Sequence, residues 1–272
     1  MRRIAFLAVL LLASSPGLAA AQTTRLDAAY AIYLTGIPVA RAEVTVELTE
    51  TGFTASGSGK TSGLIRLLSR GAGSMSVRGT FKDNRVTASV FSGRLNTSRR
   101  NQKIELNIVN GFAKGYSIEP PQRDPEKKRV PITNETRTNV VDPMSAMLAL
   151  VSKGDVFSPK SCNRTVPIFD GRYRFNLVLT YLRTDKAATR AEGYQGPTLV
   201  CQVRYVPIAG HHEDGAAVKQ MAENRSMLVW LAPVAGTRAL APIKASVSTA
   251  IGTFVVEATH FRTDNRAQRA SR

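Results

Sequence analysis

The residues with the clearest potential for chemistry are two cysteines. Cys162 and Cys201 are the only cysteines of the chain, and neither lies in a Cys-x-x-Cys motif or within a few residues of a histidine. A zinc site or a catalytic thiol would therefore lack nearby partner side chains. Two thiols in an oxidising compartment most often pair. We predict a disulfide between Cys162 and Cys201.

Two other motifs suggest ligands but have simpler interpretations. His211-His212-Glu213-Asp214 could hold a metal only if a turn brings the adjacent histidines to one side, and it is equally typical of a solvated loop. Ser58-Gly59-Lys60-Thr61 resembles the end of a P-loop, but Thr54 stands where that motif requires glycine. We predict no metal site and no nucleotide or other cofactor.

Catalytic motifs are missing from the sequence. It contains neither Gly-x-Ser-x-Gly nor His-Glu-x-x-His, and its three histidines suggest no triad. The pattern therefore favours a non-enzymatic protein. The alternative is a hydrolase of cell-wall or glycan material that uses carboxylates such as Asp170 and Glu213.

The N-terminus has the layout of a secretory signal peptide. Arg2 and Arg3 precede an apolar run over residues 4–13, and small residues stand at 19–21. The run is shorter than the about 20 residues of a membrane-spanning helix, although a retained N-terminal anchor is the alternative. We predict export to the periplasm. The predicted organisation is a signal peptide over residues 1–21, one β-rich domain over 22–262 and a polar basic tail over 263–272.

The charge balance limits the possible partners. The chain has 37 Lys and Arg against 20 Asp and Glu, and loss of Arg2 and Arg3 leaves 35 minus 20, or +15. In an exported protein this surplus favours lipid head groups, lipopolysaccharide or acidic cell-wall polymer over nucleic acid, with plain solubility as the alternative. The candidate anion-binding residues are Arg66, Arg70, Arg99, Arg100, Lys127, Lys128 and Arg129.

Alternation of apolar and polar residues dominates the rest of the chain. A period of two over residues 40–49 indicates a strand with one buried face, and the pattern returns in many later segments. Asp83-Asn84, Asn110-Gly111 and Asp170-Gly171 separate alternating runs and predict hairpin turns. These signals predict a meander of antiparallel strands.

Few segments have a helical period. Residues 62–70 and 214–223 suggest short helices, and the Pro-rich segment 119–139 suggests a long exposed loop. Asp142-Pro143 is typical of a helix start, and the apolar residues after it predict a core helix that ends at Gly154. The predicted fold is mainly β, an antiparallel meander curled into a barrel, half-barrel or spiral, with two or three short helices including one core helix.

Several of these features together resemble a known family. They are the strand pair around Gly36, Asp142-Pro143-Met144-Ser145, Cys162 ahead of Phe169-Asp170-Gly171-Arg172, and Cys201 ahead of Pro207-Ile208-Ala209-Gly210. The chain resembles the exported proteobacterial family known as domain of unknown function 3108, and in layout it is similar to alphaproteobacterial envelope-integrity proteins. The resemblance implies a periplasmic β-rich fold and no established activity.

Overall fold

A computed structural model describes residues 23–63, 66, 70–98, 100–121, 128–151, 154–189 and 192–265. Within these ranges the first half of the chain is a continuous meander of strands. The strands are β1 Thr24–Leu34, β2 Ile37–Leu48, β3 Gly52–Thr61, β4 Gly71–Lys82, β5 Arg85–Thr97, β6 Asn101–Val109 and β7 Phe112–Glu119.

The second half adds seven more strands to the same sheet. They are β8 Ala149–Leu150, β9 Arg164–Phe169, β10 Arg174–Ala188, β11 Gln195–Ala209, β12 Leu228–Pro233, β13 Ala239–Thr249 and β14 Gly252–Asn265. The helical elements of the described residues are the 3-10 turns Ser145–Met147 and Pro159–Ser161 and one α-helix, α1, over Ala216–Glu223. None of these helices is long and apolar enough to cross a membrane.

The sheet is antiparallel and runs in the order β7-β6-β5-β4-β3-β2-β1-β14-β13-β12-β11-β10-β9, with β8 paired to β13. The first and last strands of the chain therefore lie side by side at its centre. The predicted hairpins form because Asp83 and Asn84, like Asn110 and Gly111, adopt the positive φ angles that a two-residue hairpin requires. The predicted β meander is confirmed.

Segment 137–141 brings the two edges of the sheet together. On one side it meets β7, where the Ala113 amide donates to the Arg137 carbonyl at 3.0 Å. On the other side it meets β9, where the Val141 amide donates to the Pro167 carbonyl at 2.8 Å. The result is a nearly closed barrel, because backbone groups that would otherwise form open sheet edges are satisfied by this segment.

The predicted core helix is corrected by the structure. The Asp142 carboxylate does accept hydrogen bonds from the Met144 and Ser145 amides, as a helix start requires. The helix stops after one 3-10 turn, because Leu148 is extended and residues 149–150 pair with β13. The segment is buried as predicted, but it lies in the barrel as a turn and a short strand.

The disulfide between Cys162 and Cys201 is confirmed, with the two Cα atoms 5.6 Å apart. Both residues are fully buried in a cluster with Leu199, Leu231 and Leu240. The bridge links the segment just before β9 to β11, and β10 lies between these two positions in the chain. Such bonds persist in oxidising compartments, so this one suggests an extracytoplasmic location.

Other predictions fall outside the described residues. These include the signal peptide, most of the helix over 62–70, and the tail beyond the end of β14 at Asn265. The Pro-rich segment is partly described. Its residues 128–130 pair with residues 211–213, so that part of the segment is held against the barrel.

Candidate functional site

The antiparallel topology places alternate turns of the meander at one end of the barrel. This end carries the β1–β2, β5–β6, β9–β10 and β13–β14 turns and the exits of β7 and β11. The β4–β5 and β6–β7 turns lie at the opposite end, here called the far end. Residues distant in sequence are therefore brought together wherever their turns share an end.

Arg172 lies directly after the Asp170-Gly171 turn, at the end of the barrel opposite the far end. Its guanidinium stacks over the Tyr173 ring, with the Cζ atom 4.9 Å from the ring centroid. Gly210 packs against its backbone so closely that a Cβ there would lie 1.9 Å from the Arg172 carbonyl oxygen. This contact requires glycine and positions the 210–213 segment beside Arg172.

Arg129 reaches the same place through backbone pairing. The Val130 amide donates to the His211 carbonyl at 3.0 Å, and the Gly210 amide donates to the Val130 carbonyl at 2.8 Å. The Arg129 guanidinium then donates to the Gly210 carbonyl at 2.7 Å. Because Gly210 contacts the Arg172 backbone, this bond fixes Arg129 next to Arg172.

Arg100 completes an arginine cluster, defined here as Arg100, Arg129 and Arg172. Arg100 ends the β5–β6 turn, where its amide donates to the Thr97 hydroxyl at 2.9 Å. Burial lowers the pKa of Arg172, and the positive charges of Arg129 and Arg100 lower it further, while Tyr173 and Asp170 oppose them. A concentration of positive charge at one end of the barrel favours the binding of an anion. We call the end that carries the cluster the arginine end.

The other predicted anion-binding residues divide into three groups. Arg70 is exposed, and its carbonyl accepts from the Ser98 amide at 3.1 Å, which places it beside the β5–β6 turn. Lys128 is exposed and pairs with Glu213 at 3.4 Å. Arg66 is also exposed, and no contact between Arg66 and the cluster is seen within the described residues. Arg99 and Lys127 lie outside the described residues. Sequence reasoning missed Arg172, although it stands in the Phe-Asp-Gly-Arg motif that carried the family resemblance.

The carboxylates considered for hydrolysis have structural partners. Asp170 is largely buried and accepts from the Arg172 amide at 2.8 Å and the Tyr173 amide at 2.6 Å, which stabilises the β9–β10 turn. Glu213 forms the ion pair with Lys128. Each carboxylate is therefore accounted for by a local contact, and neither observation favours the hydrolase alternative.

Asp170→Asn should leave the turn intact and remove a pH-dependent contribution to stability. Burial raises the pKa of the Asp170 carboxyl above its ordinary 3.8, against hydrogen bonds from the Tyr173 and Arg172 amides. A raised folded-state pKa stabilises the fold below the ordinary pKa, and this contribution is lost as the pH rises through the raised value. Urea unfolding should show that the variant is at least as stable as wild type at neutral pH. On acidification, the free energy of unfolding of wild type should rise relative to that of the variant. A marked loss at neutral pH would contradict this.

The remaining sequence motifs have structural roles. Ser58–Thr61 lies within β3 between two antiparallel neighbours, so it does not form a P-loop. His211 and His212 lie in the segment paired to residues 128–130, and His260 faces Glu192 at 3.4 Å. Across the described ranges, no three His, Cys, Asp or Glu side chains are grouped as metal ligands.

The inner face of the sheet is filled at depth and open at the arginine end. Deep in the barrel, a space of about 20 Å³ between Tyr30, Met144 and Leu148 has room for one water molecule. Nearer the arginine end, the inward-facing Met75 and Leu95 are 46% and 44% exposed. Apolar side chains on the core-facing side of a sheet are normally covered, so this exposure marks an open hollow.

A second concavity lies on the outer face of β1 to β5. It has a volume of about 710 Å³, and its wall includes Arg25, Glu47, Ser56, Ser76 and Arg78. Arg25 there is already paired with Asp27 at 2.7 Å. This groove has a floor of hydroxyl groups and mixed charge, whereas the arginine end combines a cluster of three arginines with apolar surface. The arginine end is therefore the stronger candidate site.

The comparisons with known proteins address the family and the fold. The model of a family described as protein of unknown function, DUF3108, matches residues 29–259. This chain belongs to the DUF3108 family. The resemblance drawn from the sequence is therefore confirmed, and the family brings no assigned function. No curated protein matches the chain.

A solved structure outside the DUF3108 family supports the architecture. The chain is similar to a beta-barrel-like protein of domain of unknown function DUF1849 from Brucella abortus, with a TM-score of 0.50 and 7% identity. The likeness covers 89% of this chain and 97% of that one. At this identity it shows the fold alone.

Proposed function

We propose that this DUF3108 protein is a non-enzymatic periplasmic protein of the cell envelope whose arginine end binds anionic lipid head groups. The observation that carries the proposal is the arginine cluster. Three turns or loops that are far apart in sequence bring Arg100, Arg129 and Arg172 to the same end of the barrel, where Gly210 holds Arg129 against the Arg172 backbone and the charges of Arg129 and Arg100 act on Arg172. Arginine is suited to phosphate because its planar guanidinium can donate two parallel hydrogen bonds.

Exposed apolar side chains at the same end support a membrane as the source of these head groups. Ile37 and Ile251 lie at the neighbouring β1–β2 and β13–β14 turns and are 59% and 72% exposed. The two turns are in contact, since the Thr35 amide donates to the Thr253 carbonyl at 2.9 Å. Paired apolar tips and a basic cluster at the same end of the barrel suit a surface that is anionic at the head groups and apolar beneath them.

We expect binding to anionic vesicles that weakens with salt and depends on the arginine cluster. Each basic residue near an anionic membrane contributes about 1 kcal/mol, so R100Q/R129Q/R172Q should bind about 100-fold more weakly. Co-sedimentation with phosphatidylglycerol vesicles at low and high ionic strength measures both effects. Equal binding to neutral and anionic vesicles would refute the proposal.

A control variant with the same loss of charge distinguishes the effect of the arginine cluster on binding from the effect of net charge. Lys82 and Arg85 flank the β4–β5 turn at the far end, and Arg78 lies on the outer face of β4. R78Q/K82Q/R85Q should bind almost as well as wild type if the arginine end is the contact surface. If both triple variants lose equal affinity, binding is due to overall charge and the assignment of the site is wrong.

A further inference from the structure

We propose that the hollow at the arginine end is a binding site for one acyl chain of an anionic lipid, whose head group the arginine cluster holds. This rests on the proposed function and adds an apolar subsite to it. The membrane-binding proposal requires only a charged surface. The acyl-chain proposal requires that part of the inner face remain free of the protein's own side chains.

Met75 and Leu95 face the interior of the barrel. On β4, Met75 lies two residues from the buried Val77, and on β5, Leu95 lies four residues from the buried Phe91. No register shift separates the members of either pair, so each shares the face of its buried neighbour. The exposed surface of both side chains therefore lies on the inner face of the barrel and not on its outer surface.

Glycines form the floor around these two side chains. Met75 is paired with Gly57 and Gly93, and Leu95 is paired with Gly73. A Cβ added at Gly73 would meet, among the described residues, only the Arg94 carbonyl oxygen and Leu95, both on the neighbouring strand β5. At Gly93 it would meet only the Phe91 ring in the part of the chain that the structure describes. Among the described residues, Met144 reaches this floor near Gly57, whereas no interior side chain lies within 4 Å of a Cβ built at Gly73 or Gly93 except those of β5 itself. Met75 and Leu95 therefore keep the 46% and 44% exposure noted above.

The hollow has a bottom and a limited depth. The Met144 Cε atom lies 3.3 Å from a Cβ built at Gly57, and the Phe91 ring lies at the same distance from one built at Gly93. Below these contacts the interior is filled. On β3, Gly57 lies four residues before Thr61 at the end of the strand, which corresponds to about 13 Å of strand. The site is therefore a short trough open at its upper end.

The head group would lie at that upper end. Leu95 pairs with Gln102, two residues from Arg100, so the trough leads toward the arginine cluster. Gly171 lies over the inner row of β6 and β7, with a Cβ there only 3.1 Å from the Ile104 Cγ2 atom, and Arg172 follows it. A chain in the trough thus runs from apolar surface to three guanidinium groups, which matches an anionic amphiphile in charge and polarity.

Chain length is the direct test, with octyl, decyl and dodecyl phosphate as probes below their aggregation concentrations. Burying a methylene group increases affinity about fourfold, so affinity measured by calorimetry should rise with chain length until the trough is full. Inorganic phosphate measures the head-group contribution alone. Affinity that does not change from octyl to dodecyl phosphate would overturn the acyl-chain site.

A pair of variants locates the site. M75N/L95N should bind dodecyl phosphate at least about tenfold more weakly, since each side chain loses apolar contact with the ligand. The matched control is V90N/V109N, because Val90 is exposed on the outer face and Val109 at the far end. Equal affinities of the two variants would overturn the location.

The failure of this inference can be told from the failure of the proposed function. If anionic vesicles bind in a salt-dependent manner that needs the arginine cluster, but chain length has no effect, the acyl-chain site is wrong and membrane binding stands. If vesicle binding is independent of head-group charge, the membrane proposal fails. Tight, length-dependent binding that M75N/L95N weakens would support the acyl-chain site.

Discussion

Asp142→Ala is expected to lower the free energy of unfolding by about 3 to 5 kcal/mol, because several buried donors would lose their acceptor together. Asp142 has no accessible surface. Its carboxylate accepts from the Ser89 hydroxyl at 2.7 Å, the Met144 amide at 3.0 Å, the Ser145 amide at 2.9 Å and the Ser145 hydroxyl. These bonds attach the central segment to β5, so their loss should also loosen the packing of Met144 and Leu148. Urea unfolding of the oxidised protein measures the change.

Two milder variants test whether hydrogen bonding is the cause. Ser89→Ala removes one donor and leaves the carboxylate with three, so we expect a cost of only about 1 kcal/mol. Asp142→Asn keeps an oxygen for the Met144 and Ser145 amides, and the Ser89 hydroxyl can turn to accept from the new amide, so its cost should lie between the other two. If Asp142→Ala costs no more than Ser89→Ala, the carboxylate does not organise this segment.

Breaking the disulfide is expected to have the next largest effect. Cys162 and Cys201 are 39 positions apart, and closing a loop of this size stabilises the fold by about 3 to 4 kcal/mol in the chain-entropy model. For a domain of this length that corresponds to a fall in melting temperature of roughly 6 to 16 °C. Cys→Ala is preferable to Cys→Ser, because both sites are fully buried and a serine hydroxyl would lack a partner.

The double variant distinguishes the bond from the side chains. C162A/C201A should melt close to either single variant, since each single change already breaks the same bond, and close to wild type measured under full reduction. Thermal unfolding followed by circular dichroism gives all four values. Additive losses from the two single variants would show that the cysteines contribute as separate buried residues.

The strands could be predicted because their signal is local. Alternation over residues 40–49 reports which side chains of β2 face inward, and Asn110-Gly111 favours a tight turn whatever surrounds it. The disulfide was predictable because two thiols and an export signal leave few alternatives. Family membership rested on short motifs that can be compared one by one.

The central segment shows where local signals fail. Residues 142–154 have a helix start and an apolar stripe, yet the chain leaves the helix after one turn because β13 offers backbone partners to residues 149–150. Sheet pairing there satisfies buried amides and carbonyls that a helix would satisfy internally, so either structure is locally acceptable. Packing inside the barrel decides between them.

The candidate site shows the same difference between properties of single segments and properties of the folded barrel. The excess of basic residues and the alternation along the strands could be seen without the structure, because composition and periodicity belong to each segment alone. The sequence could not show that Arg100, Arg129 and Arg172 share one end of the barrel, or that Met75 and Leu95 face inward yet remain exposed. Those facts depend on strand register, on which turns share an end of the barrel, and on which inner positions are glycine in neighbouring strands. Folding settles these facts, because each is a distance between segments that are far apart along the chain.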